Sequence, residues 1–541
     1  MRRIQVLVLL AILVSVAGCG EESPQAGGAM AALYKIEEVP LGPMPSGAVG
    51  FTTSGDGCHI AFEVANGDKR FIVLDGQAGP EYDGIFENLP VFSVDGKRVA
   101  YGAKKGSEWC VVLDGQEGPK YDRIGGIVFS PDGRRLAYKA GKGGKQLVVL
   151  DGKRGPEYDR ILGNTPVFSP NGKHLAYVAG KGDKCFVVLD GKPGPEYDGI
   201  LVETLVFSPD GRRLAYGAKK GGKQLVVLDG KPGPEYDGIL GLNPVFSLDG
   251  KRMAYVAGKG NKQLVVLDGN PGPEYDGIIA STLAFTPNGK RVVYVAEKGG
   301  KQIVVLDGKP SPEYDFVYKP RFSGKGERLM YAAGKEGKQF VVLDGQAGPE
   351  YDQIEEGTHV FSPDGKRAAY VVENGGKCFM VLDGQEGPPY DEILEDTPVF
   401  SRDGKRVIYA AQKGDKGLVI LDGQPGPEYG EILEDTLVFS PDGERLAYGA
   451  RTGDKWFVVL DGQAGPKFDK IGENFFSPDG KQVAYGAGIG DKWFVVLNGQ
   501  PGPLYDGIFE DGPVFRPHGT LDYLATRAGA LFRVKHIIMK R

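Results

Sequence analysis

Carboxylates supply the most conspicuous chemical potential in the chain. Late in the sequence stand Glu355-Glu356, Glu395-Asp396, Glu434-Asp435, Glu473 and Glu510-Asp511. Gathered on one rim, they would hold a cation or dock a basic partner. Left in separate turns they only keep the chain solvated, which is the commoner fate of charged loops. Trp109, Trp456 and Trp493 share one place in a repeating pattern. A pair such as Trp456 and Trp493 offers faces for stacking on a sugar or a peptide aromatic. Packing between neighbouring elements is the plainer alternative.

Catalytic signatures are sparse. The histidines are His59, His174, His359, His518 and His536, with no H-x-x-x-H or H-E-x-x-H spacing, so the sequence points to no metal centre and no cofactor. No G-x-S-x-G elbow occurs. An Asp-Gly pair directly follows an apolar run ending in Val-Leu or Ile-Leu eleven times, and Asn498-Gly499 makes a twelfth. The oxygen density of a calcium loop is missing, and such pairs suit tight turns. The expectation is a protein that is not an enzyme. A glycoside-cleaving carboxylate pair hidden among the acidic residues is the alternative.

The first residues read as a processing signal. Arg2 and Arg3 precede the largely apolar run Ile4–Val16, too short to span a bilayer comfortably. Val16-Ala17-Gly18-Cys19 follows and resembles the lipobox of bacterial lipoproteins. The resemblance implies cleavage before Cys19, lipidation of Cys19, and a cell-envelope location. With Gly20 next, it implies the outer membrane if the cell is Gram-negative. Several acyl chains would hold the protein firmly, at about 0.8 kcal/mol per buried methylene. Residues 1–18 are thus read as signal and 19–32 as a flexible small-residue tether. Net charge of −6 argues against a nucleic-acid partner. Cys58, Cys110, Cys185 and Cys378 form no C-x-x-C pair and read best as buried free thiols.

What must position all these residues is an internal repeat. F-S-P-D-G-R-R-L-A-Y begins at Phe129 and again at Phe207, and variants bring the starts to thirteen, spaced 37–41 residues apart. In one unit, Val128-Phe129-Ser130 is strand a, Leu136–Ala140 strand b, Gln146–Leu150 strand c and Tyr158–Leu162 strand d, with Gly-rich turns between. Strand c is apolar on both faces and must be covered on both. Packing the small sheets around an axis supplies that cover, giving an all-β propeller of four-stranded antiparallel blades. The F-S-P-D-G-x-x-L-A-Y unit resembles the WD40-like repeat of TolB-type propellers.

Thirteen blades exceed the usual four to eight per ring. The least typical unit is Asp315–Arg321, followed by Ser323-Gly324-Lys325-Gly326. Two tandem propellers are therefore expected, seven blades over 33–318 and six over 319–541. One large ring, closed by a strand starting Leu33-Tyr34-Lys35-Ile36, is the alternative. The acidic residues fall in expected d–a loops and should circle the second ring's channel. The b–c loops facing the same way are lysine-rich, as at Lys142, Lys145, Lys181 and Lys184. The reading that results is a lipid-anchored scaffold binding a protein, peptide or glycan through its loop faces. The rival is a carbohydrate-active lyase or hydrolase with its site in a channel mouth.

Overall fold

The computed structural model describes residues 34–86, 90–395, 397–509, 512–516 and 519–538. Among them every regular element is a strand, and no helix is long and apolar enough to cross a membrane. The strands form thirteen antiparallel sheets, numbered here as blades 1–13 in chain order. Signal, Cys19, tether, Asp396, Glu510, Asp511 and His518 lie outside the described residues.

A period-two pattern explains why each sheet needs two neighbours. In Leu136–Lys142, the b strand of blade 3, Leu136, Tyr138 and Ala140 pack toward Tyr121 and Val111 of blade 2. Ala137 and Val148 face the other way, against Tyr177 and Phe186 of blade 4. Alternating side chains thus bury both faces of the sheet. Rings of neighbouring blades meet edge to face, as Tyr121 and Tyr138 do at 6.3 Å and 74°. Turn chemistry follows the same economy. Asp151 (φ 50°) and Gly152 (φ 76°) make the two-residue c–d hairpin, which requires positive φ at both places. The Asp151 carboxylate accepts from Leu136 N (3.0 Å) and Arg135 Nε (3.1 Å). Arg135 reaches on to Lys173 O of blade 4 at 3.0 Å. The recurrent Asp-Gly is therefore a turn and a strap between blades.

Strand d differs from its expected position. Lys153–Arg154 pairs with strand c, and Tyr158 bridges to Gln146, so the outer strand ends at the tyrosine. Arg160–Leu162 already pairs with strand b of the next blade. The chain changes blades at Asp159, whose N–H donates to Gly180 O. The stretch Tyr158–Leu162 therefore belongs to two sheets, a division that alternating apolar residues cannot reveal.

The thirteen blades form one ring rather than seven plus six. A buried apolar cluster joins every consecutive pair. The boundary expected at 318/319 falls inside blade 8, between Phe316–Val317 and Arg321–Phe322, which both pair with its b strand; at the blade 7/8 junction beside it, Val293, Val304 and Tyr314 pack on Leu329, Tyr331 and Phe340 as at any other junction. The unusual Asp315–Arg321 alters the connector and leaves the blade faces unchanged, so nothing ends a ring there. Blades 13 and 1 then meet through Leu524, Leu531, Ile60, Phe62 and Leu41. The strand Tyr34–Pro43 pairs with Ala530–Ile538 as the outer strand of blade 13, so the first and last described strands share one sheet. Arg527 clamps it by a bidentate bond to Glu38 at 2.7 and 2.9 Å. With sheets about 10 Å apart and strands about 4.8 Å apart, such a ring surrounds an opening on the order of 25 Å wide.

Candidate functional site

Most charged residues on the b–c face are consumed by the ring itself. Lys145 Nζ lies 2.7 Å from Asp159 Oδ1, while Asp159 Oδ2 accepts from Gly182 N of the next blade at 2.7 Å. The ammonium beside Asp159 holds its carboxyl below the usual carboxylate range, and the Gly182 N–H adds to this. Asp198, Asp237, Asp276, Asp352 and Asp391 repeat the arrangement. Asp83, Asp315, Asp469 and Asp506 do so as well. The lysine-rich loops are thus corner posts between blades, a role spacing alone does not show because the partner stands fourteen residues on.

The acidic residues sit elsewhere than expected. Glu355 and Glu356 are not in a d–a loop but between two halves of the first strand of blade 9, Gln353–Ile354 and Val360–Phe361, both paired with one b strand. They form a bulge on the edge bordering the central opening. Thr358 staples it, donating to Glu355 O (2.8 Å) and accepting from Val371 N (3.0 Å). Thr436 holds the bulge containing Glu434-Asp435 in the same way, and Thr397 donates to Leu394 O beside Glu395. Glu473 lies in the bulged first strand of blade 12. The described acids therefore line one arc, blades 9–12, of a single opening.

The tryptophans are half-buried, each with a cation over its ring. Lys104 stands 5.8 Å from the Trp109 centroid, Arg451 5.4 Å from Trp456, and Lys470 5.8 Å from Trp493. Trp456 and Trp493 make no ring contact with one another among the described contacts.

The irregular place in this regular ring is the junction of blades 10 and 11. Where blades 1–9, 11 and 12 carry glutamine, cysteine, tryptophan or arginine at the second residue of strand c, blade 10 has Gly417. Where eleven corners carry aspartate, this one has Gly430. Both glycines line a cleft of about 470 Å³, with Glu392, Leu394, Glu431, Glu434 and Arg451 among others. A second hollow of about 200 Å³ at the same junction is lined by Glu395, Thr397, Glu434 and Asp435. Arg451 pairs with Glu431. Its Nε–H is buried with no acceptor. Grooves also open at blades 3, 5 and 7, at equivalent repeat positions on the Arg–Asp face, and belong to the repeat as such. The sequence signal that marks the 10/11 cleft was available: glycine at two repeat positions that elsewhere hold long or charged side chains.

Of the predicted residues, Glu395, Glu434 and Asp435 meet at this junction, with Trp456 behind Arg451. Glu355, Glu356, Glu473 and Trp493 lie on neighbouring blades. His59 and His174 replace the strap arginine, facing Asp75 and Asp190 at 2.6 and 2.7 Å. His359 and His536 are buried in separate blades. All four cysteines are free and Cys110 and Cys185 are buried, but Cys58 and Cys378, expected to be buried as well, are partly exposed. Among the described residues no cluster of three or more His, Cys, Asp or Glu is arranged to hold a metal ion.

Closed strand pairing and thirteen equivalent blade contacts define a β-propeller. Solved propeller structures resemble parts of it. A crystal structure of a eukaryotic initiation factor aligns at 16% identity and TM-score 0.31, covering 62% of this chain and 96% of that one. TolB from Acinetobacter baumannii aligns at 17% and 0.21, covering 47% and 78%. The Dos1 propeller aligns at 11% and 0.25, covering 63% and 92%. These likenesses concern fold alone. No family model and no curated protein matches the sequence.

Proposed function

We propose that this chain is a lipid-anchored scaffold of the bacterial cell envelope that holds a protein, peptide or glycan partner on the arc of blades 9–12. One observation carries the reading: the repeated polar residues are spent on bonds between neighbouring blades, while the acidic bulges and the glycine pair Gly417 and Gly430 fall on that arc. A rigid ring with one irregular sector suits selective docking. The anchor rests on the Val-Ala-Gly-Cys resemblance. Cys19→Ala should move the protein from the membrane to the soluble fraction, and mass spectrometry of the native N-terminal peptide should show acylation at Cys19. A native protein that is unacylated and soluble removes the anchor.

Partner capture tests the scaffold. Intact mature protein should retain a partner from envelope extract or a glycan array. Changing Glu355, Glu356, Glu395, Glu434 and Glu473 together to glutamine should weaken capture of a cationic partner at least tenfold without lowering the melting temperature. Unchanged capture by the quintuple variant takes the acidic arc out of the interface.

The cleft also supports a second reading. Glu392, Glu431 and Glu434 line a space large enough to admit a sugar residue, so a glycoside-cleaving enzyme with its site between two blades is its form. Glu434→Gln and Glu392→Gln would then each abolish turnover of a glycan that binds. Full turnover in both variants removes this reading.

A further inference from the structure

The grooves on the Arg–Asp face recur with the repeat, but the residue at their rim does not. The outer strand begins with glutamine in blades 1, 2 and 8–12, and with lysine in blades 3, 4, 5 and 7, at Lys153, Lys192, Lys231 and Lys309. All four lysines are exposed, and none stands within ion-pair distance of a carboxylate among the described residues. A groove of about 300 Å³ between blades 3 and 4 opens beside Lys153, and one of about 260 Å³ between blades 5 and 6 beside Lys231. Val226, Leu228 and Met253 give the second an apolar wall. Its carboxylates are already answered: Asp229 accepts from Arg213 Nε at 3.0 Å and Asp268 from Arg252 Nε at 2.9 Å. Tyr255 lines the same groove and is 2% exposed. Its hydroxyl makes no hydrogen bond among the described residues, and unlike the Tyr177 hydroxyl it keeps surface open to solvent. Blade 7 repeats the groove, but there Lys309 shares the lining with Glu327.

An organic cation would meet an unanswered ammonium at the rim. A compact anion such as phosphate would answer the ammonium and leave the apolar wall in water. A glutamate side chain does both. Its carboxylate accepts from Lys231 Nζ and the Tyr255 hydroxyl, and such charge-assisted bonds are the stronger kind. Its methylenes cover Val226, Leu228 and Met253. We propose that blades 3–5 carry a docking surface for an extended acidic peptide, whose glutamate side chains enter the grooves and pair with Lys153, Lys192 and Lys231. Packed sheets lie about 10 Å apart and an extended chain advances about 3.3 Å per residue, so a glutamate at roughly every third or fourth position meets successive lysines. Contacts that are weak singly reinforce one another on one chain. In a ring of thirteen, blade 4 lies across from the arc of blades 9–12, so this surface is separate from the acidic one and opposite in charge.

The test uses the full chain and a fluorescein-labelled peptide of glutamates separated by Gly-Ser-Gly. Anisotropy should show saturable binding, at least tenfold tighter than for the same peptide with glutamine in place of glutamate. Lys153, Lys192 and Lys231 changed together to glutamine, the residue most other blades carry there, should keep the melting temperature and weaken binding at least tenfold. Lys309→Gln should weaken it less than twofold. Tyr255→Phe should weaken it at least twofold, and Phe62, at the equivalent place in blade 1, shows that the fold accepts phenylalanine there. The α-amide of N-acetylglutamate should displace the peptide where phosphate at equal ionic strength does not. Equal binding of the two peptides, equal binding by native and triple-substituted chains, no loss in Tyr255→Phe, an equal loss in Lys309→Gln, or displacement by phosphate as well overturns the proposal. The variant with Glu355, Glu356, Glu395, Glu434 and Glu473 changed to glutamine should bind this peptide no less tightly; a loss there would place the peptide on the acidic arc and overturn the proposal too. Failure of the basic surface leaves the reading of blades 9–12 standing, since the two are measured with separate variants.

Discussion

Gly76→Ala is expected to prevent the ring from closing, whereas Gly152→Ala, at the same place two blades on, is expected to cost little. Both glycines end the turn after strand c, with φ of 79° and 76°. Alanine in that left-handed conformation costs roughly 1–2 kcal/mol at either site. Their surroundings differ. A Cβ at Gly152 meets nothing within 4 Å, while one at Gly76 falls 1.1 Å from Leu41 O. Leu41 is the extra residue of a bulge between Pro40 and Gly42, which pushes its carbonyl onto blade 1. Rotamer changes cannot relieve an overlap with backbone, so the closing strand must lift. It would take Tyr34 and Leu41, each 8% exposed, out of the core and bare the edge of Ala530–Ile538. The expected loss exceeds 4 kcal/mol, beyond the ordinary range of point substitutions. Parallel urea melts and limited proteolysis of the two variants measure it; equal midpoints would mean that the strand does not close the ring.

Acid should destabilise the protein through two buried histidines. His359, 2% exposed, donates from Nε2 to Lys319 O at 3.2 Å, and its Nδ1 has no partner. His536, fully buried, lies 3.1 Å from the Tyr523 hydroxyl and stacks on Tyr34. Burial pushes both imidazoles down to about 4. The unfolded chain takes up these protons near pH 6.5 and the folded chain only near pH 4. The contribution of each histidine is therefore constant above pH 6.5 and falls between 6.5 and 4. The slope is about 1.4 kcal/mol per pH unit per residue. Leu205, Leu283 and Leu437 occupy the His359 position in other blades. His359→Leu should fold normally at pH 7 and lose about 3 kcal/mol less than the native protein between pH 6.5 and 4. Identical pH dependence in the two proteins would show that His359 does not stay neutral in the fold.

The repeat made the fold class legible because its signal is local. Phe129-Ser130-Pro131-Asp132-Gly133 and Leu136-Ala137-Tyr138 set strand, turn and strand within a dozen residues. The end of strand d was misplaced because Tyr158 and Ile161 are both apolar, three residues apart, and only the hydrogen bond of Asp159 to the neighbouring sheet separates them. The acidic residues were recognisable as a group. Their seating in stapled bulges was not, since Thr358 and Val371 are thirteen residues apart. Gly417 and Gly430 were visible as departures from the repeat, but that they line one cleft depends on two blades meeting.

Sequence by itself determined the blade: alternating residues with two apolar faces, tight turns wherever Asp-Gly falls, and thirteen copies of one unit. Tertiary structure alone decided that these copies close into a single ring, that the first and last described strands meet, and where the regular contacts leave a gap. The physical reason is range. Strand and turn preferences act between residues a few positions apart, whereas ring closure depends on the summed angles of thirteen packed faces and on a strand at the N-terminal end fitting an edge some five hundred residues away.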